Sequence, residues 1–221
     1  MKIVKLSGLL LAAGLLAAAA PAFAQSPPSA ADAQSIMQRM EQRNASLQSF
    51  QARVHVNTRM LNFPWLSPKL DGTSYFKRPD NYMVVFDRVP SYAHGITKLF
   101  GDTGDAIQWQ KEWNVAFSGE QNVGGKRLLA LTMTKKIYSD QINDRVAFVD
   151  PATFQVVRMD THYRNGGTIS MTQTFKTEGG YTVIATQHAD INIPHVHAVA
   201  DATYGTYQMN VAVADSVFRK K

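Results

Sequence analysis

Phe50-Gln51-Ala52-Arg53-Val54-His55-Val56-Asn57 alternates apolar and polar side chains without a break. Successive residues of an extended chain point to opposite faces, so this octet reads as a strand with one face buried and one wetted. Upstream the period is different. Ala33, Ile36, Met37, Met40 and Leu47 fall near one face of a 3.6-residue helix opened by Asp32 as its N-cap, with Gln38, Arg39, Glu41, Gln42 and Arg43 opposite. The chain therefore passes from one amphipathic helix into a sheet.

Downstream the period of two persists. Gly72 to Lys77 and Tyr82 to Phe86 flank Arg78-Pro79-Asp80-Asn81, where Pro79 has no amide hydrogen to give to a ladder, so the three pieces read as a hairpin. Leu128 to Thr134, Arg145 to Val149, Phe154 to Tyr163, Thr168 to Phe175, Tyr181 to Ile191 and Thr203 to Val213 continue the series. Gly124-Gly125, Asp150-Pro151, Asn165-Gly166-Gly167 and Gly179-Gly180 supply the turns. Clear and weaker runs at regular spacing, with no helices between them, predict an antiparallel meander, barrel-like or sandwich-like, and exclude a parallel sheet. Pro90 to Gly119, which holds Gly101-Asp102-Thr103-Gly104-Asp105, Trp109 and Trp113, is expected to form a short helix or a lid-like loop.

The 221 residues are 45% hydrophobic and 18% charged, enough apolar surface for one sizeable core. There is no cysteine, which excludes a disulfide framework, a zinc-thiolate cluster, a cysteine nucleophile and a lipid-modified N-terminal cysteine. Lys2 and Lys5, an apolar run from Leu9 to Ala20 and the small-x-small end Pro21-Ala22-Phe23-Ala24 read as a secretory signal over residues 1–24, cleaved after Ala24. That run is too short to cross a bilayer. Residues 25–31, rich in Pro, Ser and Ala, are expected to be a flexible lead-in, and residues 32–221 a single domain exported to the periplasm. Without Lys2 and Lys5 the Lys-plus-Arg count falls from 23 to 21 against 17 acids, a net charge of +4. Such mild, unclustered basicity gives no case for nucleic acid.

Catalytic signals are sparse. No G-x-S-x-G, H-E-x-x-H, phosphate loop or dinucleotide glycine pattern occurs. His195-x-His197, with His188 or Asp190 as a third ligand, is the strongest metal candidate, yet strand-end histidines beside Pro194 explain it more simply. Asp102 and Asp105 lack the spacing of a calcium loop. Asp160 and His162 share a strand face, but no serine or cysteine can be tied to them. We therefore expect no catalytic residue, no metal and no cofactor. Eleven Phe, eight Tyr, three Trp and nine Met provide adaptable apolar surface of the kind that fills a core or lines a hollow for hydrocarbon.

Gly72-x-x-x-Phe76-Lys77-Arg78-Pro79-Asp80-Asn81-Tyr82 resembles the periplasmic outer-membrane lipoprotein carrier, or LolA-like, family. Further pieces follow in order: Leu47-x-x-Phe50-x-Ala52 before the hairpin, then Val149-Asp150-Pro151-Ala152-Thr153 leading to Val157-x-Met159, Gly167-Thr168, Tyr204-x-x-Tyr207-x-x-Asn210-Val211 and Asp215-x-Val217-Phe218. The resemblance implies a mainly β fold, a strongly curved antiparallel sheet forming an incomplete barrel, with an N-terminal amphipathic helix and short helices capping its concave side. In carrier members the arginine of the Lys-Arg-Pro motif bonds to lid backbone and an aromatic residue four positions later lines the cavity, which here implies Arg78 and Tyr82. Ser91 to Gln110 departs from the family pattern, keeping only echoes such as Gly101 and Trp109.

By alternation, the remaining candidates for a lipid-binding wall are Phe50, Val54, Tyr75, Val84, Leu129, Leu131, Met159 and Met171. The function implied is that of a monomeric, non-enzymatic carrier of lipoprotein acyl chains or lipids, working between an inner-membrane release complex and an outer-membrane acceptor. The alternative is an envelope lipid-sensing or accessory module that binds a membrane protein partner through the same fold. Read as a surface charge, Arg78 is expected to tolerate replacement by leucine within about 1 kcal/mol.

Overall fold

The computed structural model describes residues 30–91, 100 and 106–219. The expected leader and residues 25–29 of the lead-in lie outside the described residues, as do 92–99 and 101–105. Helix α1 (Ala30–Gln42) is followed by β1 (Ser49–Met60), β2 (Lys69–Lys77) and β3 (Asn81–Phe86). A second helix, α2 (Ala106–Glu112), leads into β4 (Trp113–Val123), β5 (Lys126–Lys135), β6 (Ile142–Val149) and β7 (Val156–Tyr163). Then come β8 (Thr168–Glu178), β9 (Tyr181–Ile193), β10 (Val196–Met209) and a 3₁₀ turn over Asp215–Phe218.

All ten strands form one antiparallel sheet in the order β3-β2-β1-β10-β9-β8-β7-β6-β5-β4. Every neighbour is a sequence neighbour except at the β1–β10 pairing, which joins the first three strands to the seven-strand meander that follows. β3 and β4 are the sheet's edges, so the barrel is left incomplete between them, and α2 belongs to the connection across that gap. The octet that opens the sheet behaves as its alternation dictates: Phe50, Ala52, Val54 and Val56 are buried, while Arg53, His55 and Asn57 are exposed.

The concave side is packed in two regions. Ala33, Ile36, Met37 and Met40 of α1 bury against Trp113, Leu131, Met133, Val149 and Met159, together with Trp109 of α2. At roughly 1.5–3 kcal/mol for each large apolar side chain removed from water, this face of α1 is what holds the helix to the sheet. A second region gathers Val54, Leu70, Ile169, Met171, Ala189, Ala200 and Tyr204 from β1, β2 and β8 to β10. Its small residues on β10 (Ala198, Ala200, Ala202) let the bent strands approach one another.

Two local devices shape this surface. Tyr204 and Tyr207, three residues apart, could not share a face of a regular strand, yet both are buried in the same cluster. A bulge permits it: Ala52 pairs with Tyr207 and Val54 with Tyr204, so Arg53 alone faces Gly205 and Thr206. The second device is Gly72 of β2, opposite Phe86. A Cβ placed there would lie 2.6 Å from the Val85 carbonyl oxygen and 3.0 Å from Phe86 Cα. Gly72→Ala should therefore push edge strand β3 outward and lower stability by about 1–3 kcal/mol, the usual range for overpacking. Urea denaturation measures this, and a variant as stable as the parent would mean that β3 has room to move.

Several boundaries differ from the sequence reading. α1 begins at Ala30, so Asp32 sits in its first turn and not at the cap, and the lead-in ends two residues early. Leu47 lies beyond the helix, in the connection to β1, and is buried there all the same. β4 begins within the poorly patterned Pro90 to Gly119 stretch and runs on to Val123, and its strand signal is weak because most of its residues are only half-buried and show no clean alternation. β10 starts at Val196 and ends at Met209, displaced from the expected Thr203 to Val213.

Candidate functional site

Between the bent sheet and the helices lies a cavity of about 160 Å³. Its floor is aromatic. Phe50 stacks on Phe76 with ring centroids 5.4 Å apart, and meets Tyr82 at 6.2 Å and Tyr207 at 5.0 Å edge-on. Phe175, Val183 and Ile184 of β8 and β9 form one wall, Met40 of α1 and Ala106 and Ile107 of α2 another, and Arg43, Asn44, Arg78 and Pro79 the rim. Strands from both halves of the sheet reach one hollow only because the sheet wraps around it.

Beside the floor runs a chain of polar groups. The Tyr204 hydroxyl donates to Gln187 Oε1 at 2.5 Å, Gln187 Nε2 donates to Gln173 Oε1 at 3.1 Å, and Gln173 donates in turn to the Val156 carbonyl. Ser74 donates to the Tyr82 hydroxyl at 2.9 Å. Buried polar atoms are costly unless paired, and these are paired with one another and with the backbone, so Gln173 can reach the cavity lining with its amide already engaged. Burial pushes the phenols of Tyr82, Tyr204 and Tyr207 upward, so all three stay neutral.

The rim is held by the β2–β3 hairpin. Arg78 donates from Nε to the Leu47 carbonyl and from Nη2 to the Asn44 carbonyl, both at 2.6 Å. Its backbone amide donates to the Gln48 carbonyl at 2.8 Å. Neighbouring Lys77 turns to the other end of the chain, donating to Asp215 Oδ1 at 2.5 Å and to the Val213 carbonyl at 3.2 Å. One Lys-Arg-Pro corner thus ties the α1–β1 connection and the C-terminal tail to the edge of the sheet. Asn210, at a positive φ of 52°, helps from the tail side by accepting the Gln48 amide at 2.8 Å.

No protein-family model matches this sequence, and no curated protein does. The shape does have relatives among solved structures. A DUF1329 family protein from Desulfovibrio piger superimposes with a TM-score of 0.69 at 13% identity, covering 87% of this chain and 98% of that one. A putative outer membrane lipoprotein-sorting protein domain from Vibrio parahaemolyticus gives 0.65 at 10% identity, with 86% and 97% covered. A LolA superfamily protein from Nitrosomonas europaea gives 0.62 at 13%, with 85% and 97% covered. The fold is LolA-like. At such identities the likeness establishes the half-barrel architecture and leaves cargo to be argued from the site.

Within this LolA-like fold the ten residues singled out in the sequence separate into three groups. Phe50, Arg78 and Tyr82 line the cavity. Val54, Val84 and Met171 lie on the same concave face but pack into the core beside it, and Leu129, Leu131 and Met159 pack under α1. They share the face and not the hollow, because α1 fills that part of the concavity. Tyr75 is on the opposite face: it pairs with Gln51 and Met83, while its neighbours Ser74 and Phe76 point inward. Starting the alternation of β2 one residue out accounts for that error.

The cavity residues that the sequence did not single out come from two sources. Phe76, Phe175 and Tyr207 carried a strand signal but no hint of which strands converge. Arg43 looked like part of the polar face of a helix, and instead follows α1 and turns inward at the rim. Burial lowers its pKa to about 10, because no counter-charge offsets the loss of water.

The other candidates lie on the convex side or in turns. Asp160 is bound by Arg158 Nε at 2.9 Å and by the Ser170 hydroxyl at 2.5 Å, while His162 pairs with Asp144 at 2.5 Å, so the two do not form a dyad with each other. His188 is held between Asp201 at 2.6 Å and Asp190 at 3.5 Å, and its hydrogen bond to Asp201 raises its pKa. His195 occupies a turn with φ of 66° and His197 is exposed on β10. Among the described residues no group of His, Asp and Glu is placed to hold a metal ion. Asp102 and Asp105 lie outside the described residues.

Proposed function

We propose that this protein is an exported periplasmic carrier, a single domain over residues 32–221 once the leader is removed after Ala24, that shields acyl chains of lipoproteins or lipids and delivers them toward the outer membrane. The observation that carries this reading is the apolar hollow between the half-barrel and its helices, with a rim fastened by two arginine hydrogen bonds that can be broken and remade. The lipoprotein-sorting name borne by one fold relative agrees with it.

Magnitudes constrain the mechanism. An apolar cavity of roughly 150 Å³ takes a benzene-sized guest, so the present volume accommodates a short segment of chain. Six methylenes at about 0.8 kcal/mol each would contribute about 5 kcal/mol. Housing a whole acyl chain requires the α1–β1 connection or α2 to draw back and extend the hollow along the floor. Arg78 is the reversible fastening for that movement, since each of its bonds contributes only about 1.5–3 kcal/mol net.

Lipid mass spectrometry on protein purified from its native envelope tests the reading. Retained acyl lipids or lipoprotein, transferable in labelled form to acceptor membranes, are the expected result. A protein that arrives empty and binds no acyl probe would sink it. Capture of a stoichiometric membrane protein partner without transfer would favour the lipid-sensing module instead.

A further inference from the structure

Arg43 is out of place in a site made only for hydrocarbon. Its Nη1 donates to the Phe154 carbonyl at 2.9 Å, and its guanidinium lies over the Phe175 ring at 5.9 Å from the centroid. Its Nε is buried and has no hydrogen-bond partner. Among the described residues no carboxylate pairs with it. Glu41, the acidic residue of the lining, instead accepts from Gln110 Nε2 at 2.8 Å. The second guanidinium of the rim, Arg78, spends its Nε and Nη2 on backbone carbonyls.

A largely buried guanidinium without a counter-ion is unfavourable, and a carboxylate or phosphate brought against it would offset that cost with charge-assisted hydrogen bonds. Arg43 lines the same cavity as the floor rings Phe50, Phe76, Tyr82 and Tyr207. Cation and hydrocarbon surface are therefore adjacent, in the arrangement an amphiphile needs. We infer that the cavity is built for an anionic amphiphile, with its acidic head group against the Arg43 guanidinium and its chain over the aromatic floor. This rests on the carrier reading above and specifies its ligand class: a neutral diacylglyceryl chain would fill the floor and leave Arg43 unsatisfied.

Competition for a fluorescent acyl probe, using ligands of one chain length below their micelle concentrations, tests the inference. Dodecanoate and dodecyl phosphate supply the two acidic heads, and dodecanol the neutral control. At least one acid is expected to bind on the order of tenfold to hundredfold more tightly than dodecanol, as for hydrogen bonds to a charged group. Which acid wins separates a carboxylate site from a phosphate site. Arg43→Gln should abolish the preference, read as the ratio of acid to dodecanol affinity within the variant, and Arg43→Lys should keep part of it. Circular dichroism and the urea denaturation midpoint verify that each variant is folded. Equal binding of acid and alcohol by the parent protein, or a preference that survives in Arg43→Gln, overturns the inference and leaves the carrier reading standing. No binding of any of the three ligands defeats the carrier reading itself.

Discussion

Replacing Arg78 with leucine should destabilise the protein by about 2–4 kcal/mol, because two carbonyls at the rim, those of Asn44 and Leu47, lose charge-assisted donors. The sequence alone suggested that stability would stay within about 1 kcal/mol, as for an exposed hairpin charge. The difference comes from where the guanidinium lies: part-buried against the α1–β1 connection and not in solvent. Urea denaturation gives the stability change, and amide exchange at Leu47, whose own amide bonds to the Asn44 carbonyl at 3.0 Å, reports whether the connection loosens. Where ligand uptake needs these bonds broken, the variant pre-empties that cost and should bind an acyl probe more tightly, by up to roughly tenfold for each 1.4 kcal/mol of opening cost removed. Lost stability with unchanged probe affinity would make Arg78 a purely structural tie.

Phe50→Ala should have the larger effect on stability, about 3–5 kcal/mol, the range for truncating a buried phenylalanine to alanine. Phe50 is 9% exposed and touches three other rings, so its removal both forfeits apolar burial and leaves Phe76, Tyr82 and Tyr207 facing a void. Phe50→Leu, which keeps most of the volume, should cost under half as much. The void is continuous with the existing cavity, so the alanine variant is also expected to accept a bulkier guest than the parent, measurable with acyl probes carrying ring substituents. A loss below about 1 kcal/mol would mean that the ring lies against empty space and not against its neighbours.

Much of this architecture was legible from periodicity. The change from 3.6 to 2 at Phe50 placed α1 before β1, and Pro79 between two alternating runs gave the β2–β3 hairpin. The resemblance of the Lys-Arg-Pro segment pointed to Arg78 and Tyr82, and both line the cavity. Leu129, Leu131 and Met159 were placed on the correct face and still lie outside the hollow, because α1 covers them. Tyr75 failed for a different reason: β2 carries aromatic residues on both faces, so composition gave no sign of which one pointed inward.

Local sequence determined the elements, since alternation, helical period and proline act on neighbouring residues alone. Which of the inward side chains would surround empty space was decided by tertiary structure. That depends on how far a ten-stranded sheet bends, on the bulge that turns both Tyr204 and Tyr207 inward, and on where α1 stops. Arg43 is the clearest case: three residues after Met40 and seven after Ile36 it falls toward the buried side of the α1 pattern, and only the convergence of β8, β9 and the β2–β3 hairpin there makes that side the edge of a hydrocarbon pocket.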